Sequence, residues 1–200
     1  MDRRRPEVNG LLAVAGLAGV MWVLEIGDAI LPGSLDRHGI VPRDPDGLGG
    51  IVAAPFLHAG FGHLISNTVP FLAMGAVIAL SGLARVLAVT AIVALVSGLG
   101  VWLFAGANTV TVGASGVVFG YAGYLIARGF FDRRALHLVV GVIVGLIWGG
   151  ALLGGLLPEP GISWQAHLFG AVGGVLAARV LRRRTPPAPE GAGGTPAPSY

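Results

Sequence analysis

Thr111-Val112-Gly113-Ala114-Ser115-Gly116-Val117-Val118-Phe119-Gly120 sets a lone serine between two glycines at the start of an apolar run. Val117 to Ala127 reads as a helix. Glycine on either side lets other backbone come close and leaves the serine oxygen uncovered. On residue type alone such a serine is packing glue, since small residues let helices approach and the hydroxyl can bond back to its own helix. The polar residues in the rest of the chain argue for something more specific.

Of 200 residues, 54% are hydrophobic and only 12% charged, with a mean hydropathy of +0.78. So much apolar surface must face lipid or other apolar helices, which excludes a soluble domain and predicts an all-α membrane protein. With no cysteine there are no disulfides and no thiol chemistry. Only His, Asp and Glu remain as metal ligands, and neither a metal nor another cofactor is expected. The net charge of +3 is carried by arginine. The first apolar run follows Arg3-Arg4-Arg5 without a convincing small-residue cleavage site, so it reads as a retained span.

Six spans are predicted: Val8 to Ile30, Pro55 to Leu80, Leu83 to Phe104, Ser115 to Ile126, Leu136 to Leu157, and Trp164 to Leu181. Glu25 and Asp28 fall near the far end of the first and are expected at the interface. Residues 1–7 form an N-terminal segment and 8–181 the six-helix membrane domain. Residues 182–200, basic and then rich in Pro, Gly and Ala, read as a disordered tail. Eleven arginines fall on the side of the termini, while Arg37 and Arg43 fall on the other. The positive-inside rule therefore puts both termini in the cytoplasm of a (bacterial) cell and the Leu31 to Ile51 loop outside. The halves show no clear repeat, which weighs against a secondary transporter.

From Ser115 to Arg128 a helix rises only ~20 Å, less than the ~30 Å hydrocarbon core. If Arg128 marks the cytoplasmic interface, Ser115 lies below the outer surface, where a chain end survives only enclosed by protein or lining a wet cavity. A pocket open to the outside, with Ser115 at its floor, is the consequence. The same ruler places His167 ~22 Å and Asn67 ~21 Å above their cytoplasmic boundaries, with His63 one turn further out.

Polar groups at that depth face an interior or a cavity. Imidazole can take the serine proton during attack on a carbonyl and later protonate the leaving amine. An oxyanion then needs preorganised donors, each worth roughly 3–4 kcal/mol. The Asn67 amide, the His63 imidazole and the Ser115 backbone N–H are candidates. No carboxylate is in evidence near these residues, so the pattern is a Ser–His dyad whose imidazole must be oriented by packing. His167, Gly170 and Gly174 share one face of the sixth span, and Gly116, Gly120 and Gly123 form a small-residue stripe on the fourth. Together they permit close contact between these two helices.

At these residues the chain resembles the rhomboid intramembrane serine proteases. The match is carried by His58-Ala-Gly-Phe-Gly-His63-Leu-Ile-Ser-Asn67, by Gly113-Ala114-Ser115-Gly116, and by Ala166-His167-Leu168-Phe169-Gly170 with Gly174. It covers roughly Ile51 to Arg182. The resemblance implies a six-helix bundle whose short fourth span carries the nucleophile, Ser115, with His167 as base. It further implies an oxyanion and substrate-binding region of Asn67, His63 and Gly113. Phe119 would pack on the His167 ring where relatives often carry Tyr, and His58 would be structural. The implied partners are transmembrane protein substrates and the lipid bilayer, not nucleic acid. Two departures stand out. The family's frequent Trp-Arg pair falls near Gly49-Gly50, which predicts a less rigidly anchored outer loop, and a frequent Glu late in the second span corresponds to about Ala79. A catalytically inactive relative that binds or escorts transmembrane clients, and a small transporter or channel, are the alternatives.

Overall fold

The computed structural model describes residues 6–182. The expected cytoplasmic N-terminus and tail fall largely outside them. Among the described residues there are seven α-helices and no strand. They are α1 (Pro6–Ile30), the single turn α2 (Gly50–Ala53), α3 (Phe61–Ala79), α4 (Leu83–Phe104), α5 (Ser115–Asp132), α6 (Ala135–Gly154) and α7 (Trp164–Val180). Of these, α1, α3, α4 and α6 are long and apolar enough to cross a membrane by length and composition. Six long helices overlie the six stretches read as spans, and these four of them meet that measure.

Of the long helices, α5 and α7 fall short of that measure, and α5 is the one the others enclose, while α7 keeps Val172, Val175 and Leu176 exposed. Most of α5 is buried, including Tyr121, Tyr124 and Leu125. A helix shielded by protein needs no lipid-facing side, so α5 can carry glycine, tyrosine and arginine where α6 carries exposed Val142, Leu146 and Ile147. The core forms where Phe71 of α3 stacks on Tyr121 at 5.3 Å. The Tyr121 hydroxyl is satisfied by Thr90 Oγ1 at 2.6 Å, as a buried polar group must be.

The α5–α7 contact is as close as the glycine stripes predict. A Cβ on Gly170 would overlap the Gly116 carbonyl, one on Gly174 the Gly120 carbonyl, and one on Gly123 would come within 2.6 Å of Ala171 O. Gly116 also makes room for Ser97 of α4, whose Oγ donates to Ala166 O at 2.8 Å. Backbone-to-backbone contact of this kind is how helices associate without side-chain bulk between them.

Several boundaries differ from the sequence reading. The second long helix starts at Phe61, not Pro55, because Pro55 and Phe56 close a 3₁₀ turn and Gly60 then takes φ +98°, a conformation that favours glycine. The fourth does not stop at Ile126. It runs on to Asp132 and ends at Arg133 in the left-handed region. Arg128 is buried, pairs with Asp132 at 3.1 Å and lies over the Tyr124 ring. Its burial removes the exposed-arginine argument for using it as a boundary, and the 18 residues of α5 rise ~27 Å. Glu25, expected at the interface, is 5% exposed. Asp28 instead folds the turn after α1, accepting from the Leu35 N–H and from Ser34 Oγ.

The 31–51 loop is also better anchored than expected. Arg43 donates through Nη1 to the Leu103 and Ala105 carbonyls (3.3 and 2.8 Å) at the end of α4, and its backbone N–H donates to Trp102 O. Trp102 Nε1 returns a bond to Asp44 O at 2.9 Å. Ile40 and Thr111 exchange both backbone bonds in an antiparallel bridge. Arg43, counted from sequence only as a loop charge, and Trp102 tie the loop where Gly49 and Gly50 offer no side chain.

Candidate active site

Ser115 opens α5 directly after a turn at Gly113, whose φ is +114°. The Gly113 N–H donates to Ala54 O at 2.8 Å and the Ala114 N–H to His58 Nε2 at 3.3 Å. Both amides before the serine are thus committed, and Gly113 contributes space in place of a donor. The Ser115 N–H follows them at the first position of a helix, where amides have no intrahelical acceptor. His58 is buried and its bond to Ala114 fixes the approach to α5.

His63 lies against this turn. A Cβ on Gly113 would sit 2.7 Å from His63 Nε2, so only glycine lets the imidazole this close. The Ala59 N–H points to His63 Nδ1 at 3.4 Å, which assigns the ring proton to Nε2. Asn67, one turn further along α3, is 4% exposed and uses one amide hydrogen on His63 O at 2.9 Å. The second hydrogen has no such commitment.

His167 comes from the first turn of α7. Its Nδ1 is 2.7 Å from Gly155 O, and because a carbonyl only accepts, Nδ1 carries the proton and Nε2 keeps its lone pair. Phe119 lies flat on the other side, with ring centroids 4.0 Å apart and planes 5° from parallel. A backbone carbonyl and an aromatic face together fix the tautomer and tilt of the ring, the task a carboxylate performs in a triad. Gly155 is the residue sequence reasoning missed. A Cβ there would lie 2.5 Å from Phe119 Cζ and 2.9 Å from His167 Nδ1. Its place just before Pro158-Glu-Pro-Gly161 marks a helix end but does not reveal which ring that end meets.

Ser115, Asn67 and His167 line two adjoining cavities. One, of about 590 Å³, lies between α3 and α6 and is walled by apolar groups such as Val69, Met74, Phe119, Trp148 and Leu152. The other, of about 970 Å³, is more polar, includes His63, and is bordered by the 105–112 and 158–165 segments. Glu159 lines both, so a carboxylate does reach the cavity rim, although none bonds His167. Among the described residues no group of three or more His, Asp or Glu side chains could hold a metal ion.

A bundle of apolar helices with a serine at a helix start, lining the same cavities as an oriented imidazole, is the setting in which the family match falls. The Rhomboid domain family matches residues 46–184. The chain belongs to the rhomboid family. It is 39% identical over 187 residues to an uncharacterized protein of Mycobacterium tuberculosis, covering 89% of this chain and 78% of that one. A second such relative, from Mycobacterium leprae, is 38% identical over 189 residues, covering 90% and 74%. YdcA of Bacillus subtilis, which bears a provisional rhomboid-protease name, is 31% identical over 127 residues, 63% of each chain.

Proposed function

We propose that this rhomboid-family membrane protein is an intramembrane serine endopeptidase that hydrolyses peptide bonds in or near transmembrane segments of other proteins. The observation that carries the reading is the imidazole of His167, clamped between Gly155 O and the Phe119 ring, lining the same cavity as Ser115. In this reading His167 Nε2 accepts the Ser115 Oγ proton as the oxygen attacks a carbonyl. The Ser115 N–H, the free Asn67 amide hydrogen and His63 Nε2–H receive the oxyanion. The imidazolium then protonates the departing amine, and a water repeats the sequence on the acyl-enzyme.

The six long helices all cross the bilayer in this account, with α5 shielded from lipid by its neighbours and α7 turning Val172, Val175 and Leu176 outward. Both termini face the cytoplasm, and the cavity around His63 opens to the outside. The apolar cavity between α3 and α6 suits a substrate helix, and the polar cavity beside it supplies water for deacylation. The backbone of such a substrate must locally leave its helix before a carbonyl is accessible, which an enclosed polar cavity permits and lipid does not. Cleavage of a designed transmembrane substrate by the purified full chain, beside Ser115→Ala, tests the proposal. Equal cleavage by both would end it.

A further inference from the structure

Glu159 is the one formally charged side chain among the residues lining the two cavities around Ser115. It stands at their seam, bordering the apolar space between α3 and α6 and the polar space beside His63. No cation neutralises it, for it takes part in none of the ion pairs among the described residues.

Its backbone is held. Pro158 and Pro160 fix φ on either side, and Pro160 keeps Glu159 itself extended. The Ile162 N–H closes the turn on Glu159 O at 3.1 Å, with Gly161 at φ +79°. The carboxylate thus belongs to a stiff turn in the connection between α6 and α7, the same connection whose first residue, Gly155, holds His167.

We infer that Glu159 is a specificity-determining residue that favours substrates carrying Arg or Lys just outside the apolar segment, close to the cleaved bond. This rests on the endopeptidase reading. A chain passing from the apolar cavity into the polar one must cross the seam, and its first polar residue meets an unneutralised carboxylate. Basic residues are scarce on the outer flanks of transmembrane segments, so such a preference narrows the substrate set.

The test uses the purified full chain in liposomes and substrates that differ at one flanking position, scanned through the residues on either side of the cleaved bond. Each position carries Arg, Gln or Glu in turn. An exposed charge pair is worth little, but the Arg-to-Glu comparison adds an attraction to a repulsion. At low salt the wild type is expected to favour Arg over Glu by about 5- to 10-fold in kcat/KM at the best position. Glu159→Gln brings the ratio to within about 2-fold, Glu159→Arg inverts it, and about 0.5 M salt compresses it in the wild type. A wild type that cleaves without regard to charge, or a preference that survives Glu159→Gln, overturns the inference and leaves the endopeptidase reading intact. Charge-dependent capture of the same substrates by Ser115→Ala, with no cleavage by the wild type, supports Glu159 as a selector and removes the endopeptidase reading alone.

Discussion

Gly155→Ala isolates the device that orients His167. Gly155 caps α6 with φ −68° and ψ −10°, a conformation alanine adopts freely, so the substitution adds no backbone strain and its whole effect is steric. The new methyl would stand 2.5 Å from Phe119 Cζ and 2.9 Å from His167 Nδ1. Carbon contacts settle near ~3.5 Å, so something must move by about 1 Å. Phe119 cannot yield alone, because its ring is stacked on the imidazole. Either the stack shifts away from Ser115 or the α6 end retreats and lengthens the bond from Nδ1–H to Gly155 O. Loss of a hydrogen bond to a group that becomes cationic costs about 1.5–3 kcal/mol, and a displacement of about 1 Å near the reacting atoms costs ~100-fold in rate. The expected outcome is a fall of about 10²–10³-fold in kcat, with KM changed little because the apolar cavity walls remain. The assay is cleavage of a fluorogenic transmembrane substrate by purified protein, with a thermal melt to confirm folding. A folded Gly155→Ala that cleaves within about threefold of wild type would refute the reasoning that this carbonyl replaces a carboxylate.

Further outcomes follow from other contacts. Gly174→Ala should destabilise the fold by about 1–3 kcal/mol, because the atoms it meets are backbone of α5; detergent-resistant melting would read this as a lower midpoint. Ser97→Ala removes the bond to Ala166 O and should cost about 1 kcal/mol in the same melt. Arg43→Ala should leave the global melt nearly unchanged while hydrogen exchange in residues 35–49 quickens, since two terminal α4 carbonyls lose their donor. In the 31–51 loop, burial and then Asp28 push the Asp36 carboxyl above its ordinary range, with His63 opposing. The folded state therefore holds this proton more tightly than the unfolded one, and stability falls as pH rises from the ordinary carboxylate range through the raised value. Asp36→Asn should raise the melting midpoint at neutral pH and leave it unchanged below that range.

The parts legible in sequence were those set by apolar run length and by spaced glycines. Runs such as Leu83–Phe104 could be read to the residue, and the Gly116/Gly120 and Gly170/Gly174 stripes announced the α5–α7 contact. The depth ruler was less secure. Arg128 served as a boundary because exposed arginine marks interfaces, yet Asp132 one turn on and the Tyr124 face let it be buried. Nothing local to Arg128 distinguishes those cases except a carboxylate at i+4. Long-range backbone partnerships were invisible in principle. Gly155 O, Ala54 O and Ala105 O carry no side-chain signature, although they meet His167, Gly113 and Arg43. Glu159, in a proline-rich turn, carries no sequence signal of the cavity it borders, because it is solvent-exposed as well.

The one-sided seat of α6 has a mechanical corollary. Its first half meets α5 through backbone, where Gly129 and Gly141 bring the two chains close, its second half meets the core through the side chains of Trp148 and Leu152, and its outer face is bare from Leu136 to Leu153. That second half is also a wall of the apolar chamber and ends at the carbonyl that steadies the imidazole. Leaning that half outward to widen the chamber would draw the carbonyl off the ring, and its return would restore it. Entry and readiness to react would then be opposite positions of one lever, hinged near Gly141.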